Sequence, residues 1–406
     1  MQVPRLPFLV LICVLSAHVA AWTADTGSTA TAATNPWSLK ATLSAPGSPL
    51  EFGYAVALSG NTVVTTANTA VDVYVQPKTG WGNMTSPTAK LTTSDGVFLN
   101  SVAIDGDTVV AGSIQTGGTG AAYVFVKPSK GWSNMTETAK LTASDAFSGS
   151  YVGMSVTVAG STIVVGADEN DSVGATFPAG GGPGAVYVYV KPSAGWSNTT
   201  ETAKLTASDG VSGDDLGYQV AIEGNSIAAS APNATIGSTT LEGAVYIFQN
   251  NGSGWKNATQ VAKLTASDGH EVTVLGLGLS INGNTLAAAA FDKVYVFLKP
   301  SSGWTTKTQA AELSSTAYTF YGLNSVAVYN NTVLAGSPHE NSPFADLYVE
   351  PSGVWQNMRP SYRLKAPAGN GNGADGFSVA MNASTLVVGS PLLSGNGGNV
   401  VFVYGK

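Results

Sequence analysis

The sequence predicts an all-β fold, a seven-bladed β-propeller of four-stranded antiparallel blades. Three observations predict it. Seven of the eight tryptophans recur in one motif: Trp37, Trp81, Trp132, Trp196, Trp255, Trp304 and Trp355. Each is followed by a leucine: Leu43, Leu91, Leu141, Leu205, Leu264, Leu313 and Leu364. A repeat of about fifty residues is one supersecondary unit copied many times. Between the motifs lie seven copies of an apolar run, a tight turn and a second apolar run. A third run alternates valine with aromatic residues.

The elements of one unit follow in order. The paired runs begin at Gly53, Leu99, Val152, Leu216, Leu275, Tyr321 and Asp375. Gly-Asn, Gly-Asp and Gly-Ser at their turns suit a two-residue hairpin, where positive φ is needed. These are strands A and B. Strand C is text such as VYVYVKP from Val186 and VYVFLKP from Val294, β-branched and aromatic with a closing proline. After a Gly-Trp loop, the KLTA piece supplies strand D. The chain ends on a C strand, Val401 to Tyr404, and Trp37 to Leu43 reads as a D strand with nothing before it. An N-terminal strand at about 37–45 is therefore expected to complete the last blade, about 375–406, leaving no open edge at the junction.

Composition agrees. Charged residues make up 11% and apolar residues 44% of 406 residues, with 48 glycines. That balance excludes disorder, which needs low hydrophobicity and high net charge. Residues 1–21 read as a secretory signal, with Arg5, the apolar run Leu6 to Leu15, and small residues ending at Ala21. The run is shorter than the ~20 residues of a spanning helix. Residues 22–36 read as a Thr/Ala/Ser-rich flexible linker and 37–406 as the propeller. Cleavage removes Arg5 and the single cysteine, Cys13, leaving 17 basic and 25 acidic residues, net −8. The mature chain is expected to be exported to the extracellular space, cell surface or periplasm. It has no disulfide, no membrane span and no affinity for nucleic acid, since an acidic surface repels polyanions. A monomer is expected.

The tryptophans suit packing beneath the C–D connection better than a ring of ligand platforms. Asp95, Asp145, Asp209 and Asp268 each follow a strand D leucine by four residues and read as Asx-type turns between blades. Gly47, Ala317 and Ala368 replace them elsewhere. No catalytic motif occurs, and His270 and His339 stand in loops. Variation concentrates in the B–C and D–A loops, which share one face. Acidic residues meet there at blades 3 and 4: Asp168, Glu169, Asp171, Asp209, Asp214 and Asp215 are the candidate ligand-binding residues. Asn83, Asn134, Asn198 and Asn257 head Asn-x-Thr sequons inside the repeated motif.

The text G-x-S-V-A, V-V-x-G-[AS] and A-V-Y-V-[FY] resembles FG-GAP repeats. Phe52-Gly53, Phe377-Ser378 and Gly389-Ser390-Pro391 stand where that family has its FG and GAP. The resemblance covers Trp37 to Lys406. It implies the propeller of integrin α subunit heads and of many secreted bacterial proteins. Many such units carry a D-x-[DN]-x-D-G calcium loop between strands A and B. Here that position holds tight turns such as Ser59-Gly60-Asn61 and Asn282-Gly283-Asn284, with too few oxygen ligands. No metal and no cofactor is expected. The leading functional expectation is a non-enzymatic, integrin-α-like adhesion or binding scaffold for an extracellular protein or carbohydrate. The alternatives are a lectin with pockets between blades, and a polysaccharide-active enzyme using the acidic loops.

Overall fold

The computed structural model describes residues 35–47, 49, 51–114, 118–169, 182–314, 326–337, 344–365, 376–391 and 399–406. They form seven small sheets, and no helix occurs among them. Blade 3 shows the plan. Its strands are Ser155–Ala159 (A), Thr162–Ala167 (B), Ala185–Val190 (C) and Ala203–Thr206 (D). They are antiparallel neighbours in chain order, with Val156 opposite Val165 and Val165 opposite Tyr187. Each A strand packs against the A strands of both neighbouring blades, the seventh against the first, so the A strands line the axis of a closed ring.

Closure is as the sequence implies. Blade 7 comprises Ser378–Met381, Thr385–Ser390 and Val400–Gly405, with Ser38–Leu43 as its outer strand. The N-terminal strand is antiparallel to Val400–Gly405, with a register shift between Leu39 and Ala41. Backbone hydrogen bonds thus join the two ends of the ring.

The sheets are wider than four strands in four blades. Short strands Met135–Thr136, Thr199–Thr200, Ala258–Thr259 and Lys307–Thr308 come from the C–D loop of the next blade. Each adds in parallel to the outer strand of the blade before it, as Leu91 with Met135 and Leu205 with Ala258. Single parallel bridges, Leu43 with Met84 and Leu313 with Met358, mark the same crossing at two further blades. The reason is edge satisfaction: an outer strand otherwise shows unpaired N–H and C=O groups to solvent.

Among the described residues seven apolar clusters lie one in each seam between adjacent blades, and a small eighth joins Tyr54, Ala55 and Phe377. Between blades 2 and 3, Leu141 and Val124 meet Val156, Ile163 and Tyr187. Successive strand B residues such as Val63 and Val64 are both fully buried, so strand B contributes to the seams on both of its faces. That is why these strands read as continuous apolar runs rather than alternating ones.

At the inner end of the seams the packing is set by glycine. Gly166, near the end of strand B in blade 3, faces the carbonyl of Gly217 in blade 4. A Cβ added at Gly166 would fall well inside the 3.0 Å that real Cβ atoms respect. Gly217 itself has φ +97, a region that L side chains avoid. Ser155 Oγ donates to the same Gly217 carbonyl at 2.8 Å. Ser101 to Gly153 (3.0 Å) and Ser378 to Gly53 (2.8 Å) repeat the bond, with Gly112 and Gly389 as the close neighbours. Replacing Gly166 with alanine is expected to destabilise the ring by about 3 kcal/mol through overpacking. Gly160→Ala, at φ +56 with open space around it, should cost only about 1 kcal/mol. Chemical denaturation of the two variants checks the difference.

Candidate functional site

The repeated motif is a set of clasps between blades. Trp196 lies in the core shared by blades 2 and 3, and Trp132 in that of blades 1 and 2. Trp37 occupies the equivalent place between blades 6 and 7. Six of the seven rings are 3 to 9% exposed and Trp81 is half-buried. Two residues past the tryptophan, an asparagine reaches the preceding blade. Asn83, Asn134, Asn198 and Asn257 Oδ1 accept from the backbone N–H of Thr42, Lys90, Lys140 and Lys204, at 2.8 to 2.9 Å. Asn357 accepts from Glu312 N–H in the same way, and Thr306 from Lys263 N–H. Three residues further on, Glu137 and Glu201 each accept from the N–H and hydroxyl of a serine in the preceding D–A turn, Ser94 and Ser144. Gln260 and Gln309 do so for Ser208 and Ser267 N–H.

The aspartates of the turns belong to this set. Asp95 accepts from Tyr123 (2.7 Å) and Lys140 (2.5 Å) of the next blade. Asp145 does so from Tyr187 and Lys204, and Asp268 from Tyr295 and Lys293. Asp209 takes Lys263 at 2.7 Å. The bonds to Lys140 and Tyr123 hold the Asp95 carboxyl below its ordinary range. At Asp145, Asp209 and Asp268 burial pushes the carboxyl up, but the bonds from lysine and tyrosine outweigh it. These residues are therefore more than local turn formers: they tie one blade to the next.

The exceptions obey one rule. Where the turn aspartate is absent before blade 1, at Gly47, strand C carries Asp72 in place of the tyrosine, facing Lys90 at 3.7 Å. Before blade 6, at Ala317, strand C carries Asp346, held by Arg363 at 2.8 and 3.1 Å. In blade 5 the lysine moves to strand C as Lys293, and Glu312 takes its place on strand D opposite Tyr295, 3.3 Å from Lys293. In blade 7 the two strand positions are Phe402 and Thr42, and the sequence has Ala368 four residues past Leu364. A buried charge without its partner is costly, so the group changes as a unit.

The loop face is different. Asp168 and Glu169 follow strand B of blade 3 and are both 6% exposed. Glu169 accepts from Gly184 N–H at 3.3 Å and lies 3.9 Å from Lys204. Burial raises its carboxyl, partly offset by Lys204. Asp214, 5% exposed, accepts from Val211 N–H at 2.9 Å, and burial raises it too. Asp215 Oδ2 accepts from Asn233 Nδ2 at 2.5 Å. Glu169 and Asp215 have φ of +53 and +63, strained for side-chain-bearing residues. Asp209 stands apart, on the Lys263 clasp. Asp171 lies outside the described residues, as does His339. His270 is exposed, its Nδ1 2.9 Å from the Glu271 carbonyl. Among the described residues no group of three or more His, Cys, Asp or Glu could hold a metal, and no helix is long and apolar enough to cross a membrane.

Connection lengths separate the faces. The A–B turns are two residues in six blades, and the C–D loops within blades 2 to 6 run to twelve. The D–A loops are also nearly constant, contrary to the expectation of variation there; only 93–100 is short. Variation is confined to the B–C connections, from two residues (68–69) to seventeen (168–184). Sequence reasoning missed the asparagine clasp and the fifth strand. Their signal was present in the fixed spacing of Asn-x-Thr after each tryptophan.

Three stretches of the chain match FG-GAP repeats. The family model described as "FG-GAP repeat" matches residues 85–125, 135–189 and 199–248, from the outer strand of blade 1 to strand C of blade 4. No curated protein matches the chain. Among solved structures it is similar to the "Crystal structure of the computationally designed Ika8 protein", at 14% identity and a TM-score of 0.48. That alignment covers 90% of this chain and 99% of the other.

The clasps give stability a definite pH dependence. Asp95, Asp145, Asp209 and Asp268 have depressed folded-state values. Their contribution is complete above the unfolded value of about 4 and is lost as pH falls through the lower folded value. Asp145→Asn should cost about 1 kcal/mol or less at pH 7, because the pair is largely exposed. It should also flatten the fall in stability between pH 5 and 2, measured by denaturation across that range.

Proposed function

We propose that this FG-GAP propeller is a secreted, non-enzymatic binding scaffold that meets an extracellular protein or carbohydrate through the face bearing its B–C connections. The observation that carries this reading is the contrast between the two faces. On one, successive A–B turns bond to each other: Gly106 N–H to Ser59 Oγ, Gly160 N–H to Asp105, Asn330 N–H to Asn282, and Asn382 Nδ2 to the Gly60 carbonyl. That face is committed to holding the ring. On the other, loop length and sequence vary over a rigid base, a common arrangement for recognition.

Blades 3 and 4 are the favoured place on that face. Four buried acidic residues, Asp168, Glu169, Asp214 and Asp215, lie there. Six of the seven repeat tryptophans are buried, which counts against sugar stacking on their rings as the pocket-between-blades alternative requires.

The test is a screen of the purified protein against arrayed extracellular proteins and glycans, alongside two variants. In one, residues 168–184 are replaced by a two-residue turn like 68–69. In the other, Asp95→Asn weakens only a rim clasp. A ligand lost at least tenfold by the first and kept by the second is the expected result. A ligand equally retained by the shortened variant, or none at all on either array, sinks the proposal.

A further inference from the structure

We propose that Asn83, Asn134, Asn198 and Asn257 are N-glycan acceptors, and that their glycans form an arc on the C–D side of the ring over blades 1 to 4. The inference rests on the export proposed above and extends it to a modification.

Each of the four asparagines heads an Asn-x-Thr sequon, closed by Thr85, Thr136, Thr200 or Thr259. Each is exposed. The side chains are also presented alike. Oδ1 is engaged by a backbone N–H of the preceding blade, and no described group accepts from Nδ2. Glycosylation uses Nδ2 alone. That nitrogen attacks C1 of the first sugar of a lipid-pyrophosphate-linked oligosaccharide. An N–C bond forms, the bond from C1 to the pyrophosphate oxygen breaks, the lipid pyrophosphate leaves, and the amide gives up one proton. The product keeps its carbonyl, so the glycosylated side chain can still accept the same bond, and the ring tolerates it.

Two further sequons, at Asn233 and Asn382, are not presented this way. Asn233 Nδ2 donates to Asp215 at 2.5 Å on the loop face. Asn382 Nδ2 donates to the Gly60 carbonyl at 2.9 Å across the seam of blades 7 and 1. Both are only partly exposed. A glycan on either nitrogen crowds a bond that the fold uses. The asymmetry therefore separates the four acceptors from these two sequons; Asn251, exposed on the same C–D side, is not separated from the four by it.

The experiment expresses the full chain, with its own N-terminal residues, in a cultured eukaryotic cell. Secreted protein is treated with peptide-N-glycosidase in heavy-oxygen water, which converts each formerly glycosylated asparagine to a labelled aspartate, and the peptides are mapped. Label at the four rim sites is expected. Thr85→Ala/Thr136→Ala/Thr200→Ala/Thr259→Ala, which keeps every asparagine clasp, should be secreted with an unchanged melting temperature and without label there. Secreted wild-type chain without label at the four sites, or with label at Asn233 or Asn382 in preference to them, overturns this inference alone. A chain retained in the cell and unlabelled overturns the export reading with it.

Discussion

The ring depends on how closely two backbones can approach at the inner end of each seam. Gly166 against Gly217, Gly112 against Gly153, Gly336 against Gly376 and Gly389 against Gly53 are one contact repeated. It brings the end of strand B in one blade against the turn that opens strand A in the next. The serine bond to the same carbonyl gives the approach a direction. Shape therefore follows from what is missing, a Cβ on either side, as much as from what is packed. Blade 4 has Ser230 at the strand B position, and there the glycine of the next blade, Gly276, faces that side chain instead. Blade 1 has Thr66, and no glycine stands opposite it in Leu99-Asn100. The constraint is carried by the pair and is relaxed by the pair.

The outer end of each seam works by a different chemistry, polar and modular. One stretch of about fifteen residues supplies an indole to the core, an asparagine to the previous strand D, a threonine to its edge, a glutamate or glutamine to its turn, and a lysine to its aspartate. Each bond is worth little alone at an exposed position. Their sum falls on the same seam as the buried core, where cooperativity between neighbouring blades is decided. The substitutions at Asp72, Asp346, Lys293 and Phe402 show that the composition of the charge group changes between blades while each basic side chain in it keeps an acidic partner.

Much of this was legible in the sequence. Periodicity gave the blade number, and the placement of Trp37 gave the closure, because both are local patterns repeated in phase. Strand order followed from hairpin turns at Gly60, Gly106 and Gly160. The partner of each polar side chain was not legible. Asp95 and Lys140 are 45 residues apart, and Asn198 meets Lys140 across 58. A single repeat read alone suggests that an aspartate after a strand serves its own turn. Only the stacking of neighbours shows that it serves the next blade. The candidate acids split for the same reason: Asp209 lies on a clasp, while Asp168, Glu169, Asp214 and Asp215 lie beneath the loop face.

That split bears on how a repeat protein can acquire a recognition surface. A clasp residue is coupled to a partner in the adjacent copy, so changing it alone strands a charge or a buried donor. A B–C connection has its register set by strands B and C, as Thr162–Ala167 on Ala185–Val190. Its closing residues are tied to the D–A loop of the next blade, as Leu216 N–H to the Pro183 carbonyl and Val152 N–H to the Thr119 carbonyl. The lengths between those fixed points run from two residues to seventeen. The strained backbone at Glu169 and Asp215 sits where the longest of these connections rises from the ring, held by Gly184 and Asn233. The strands that hold the seams and the connections that vary in length are thus separate parts of each blade.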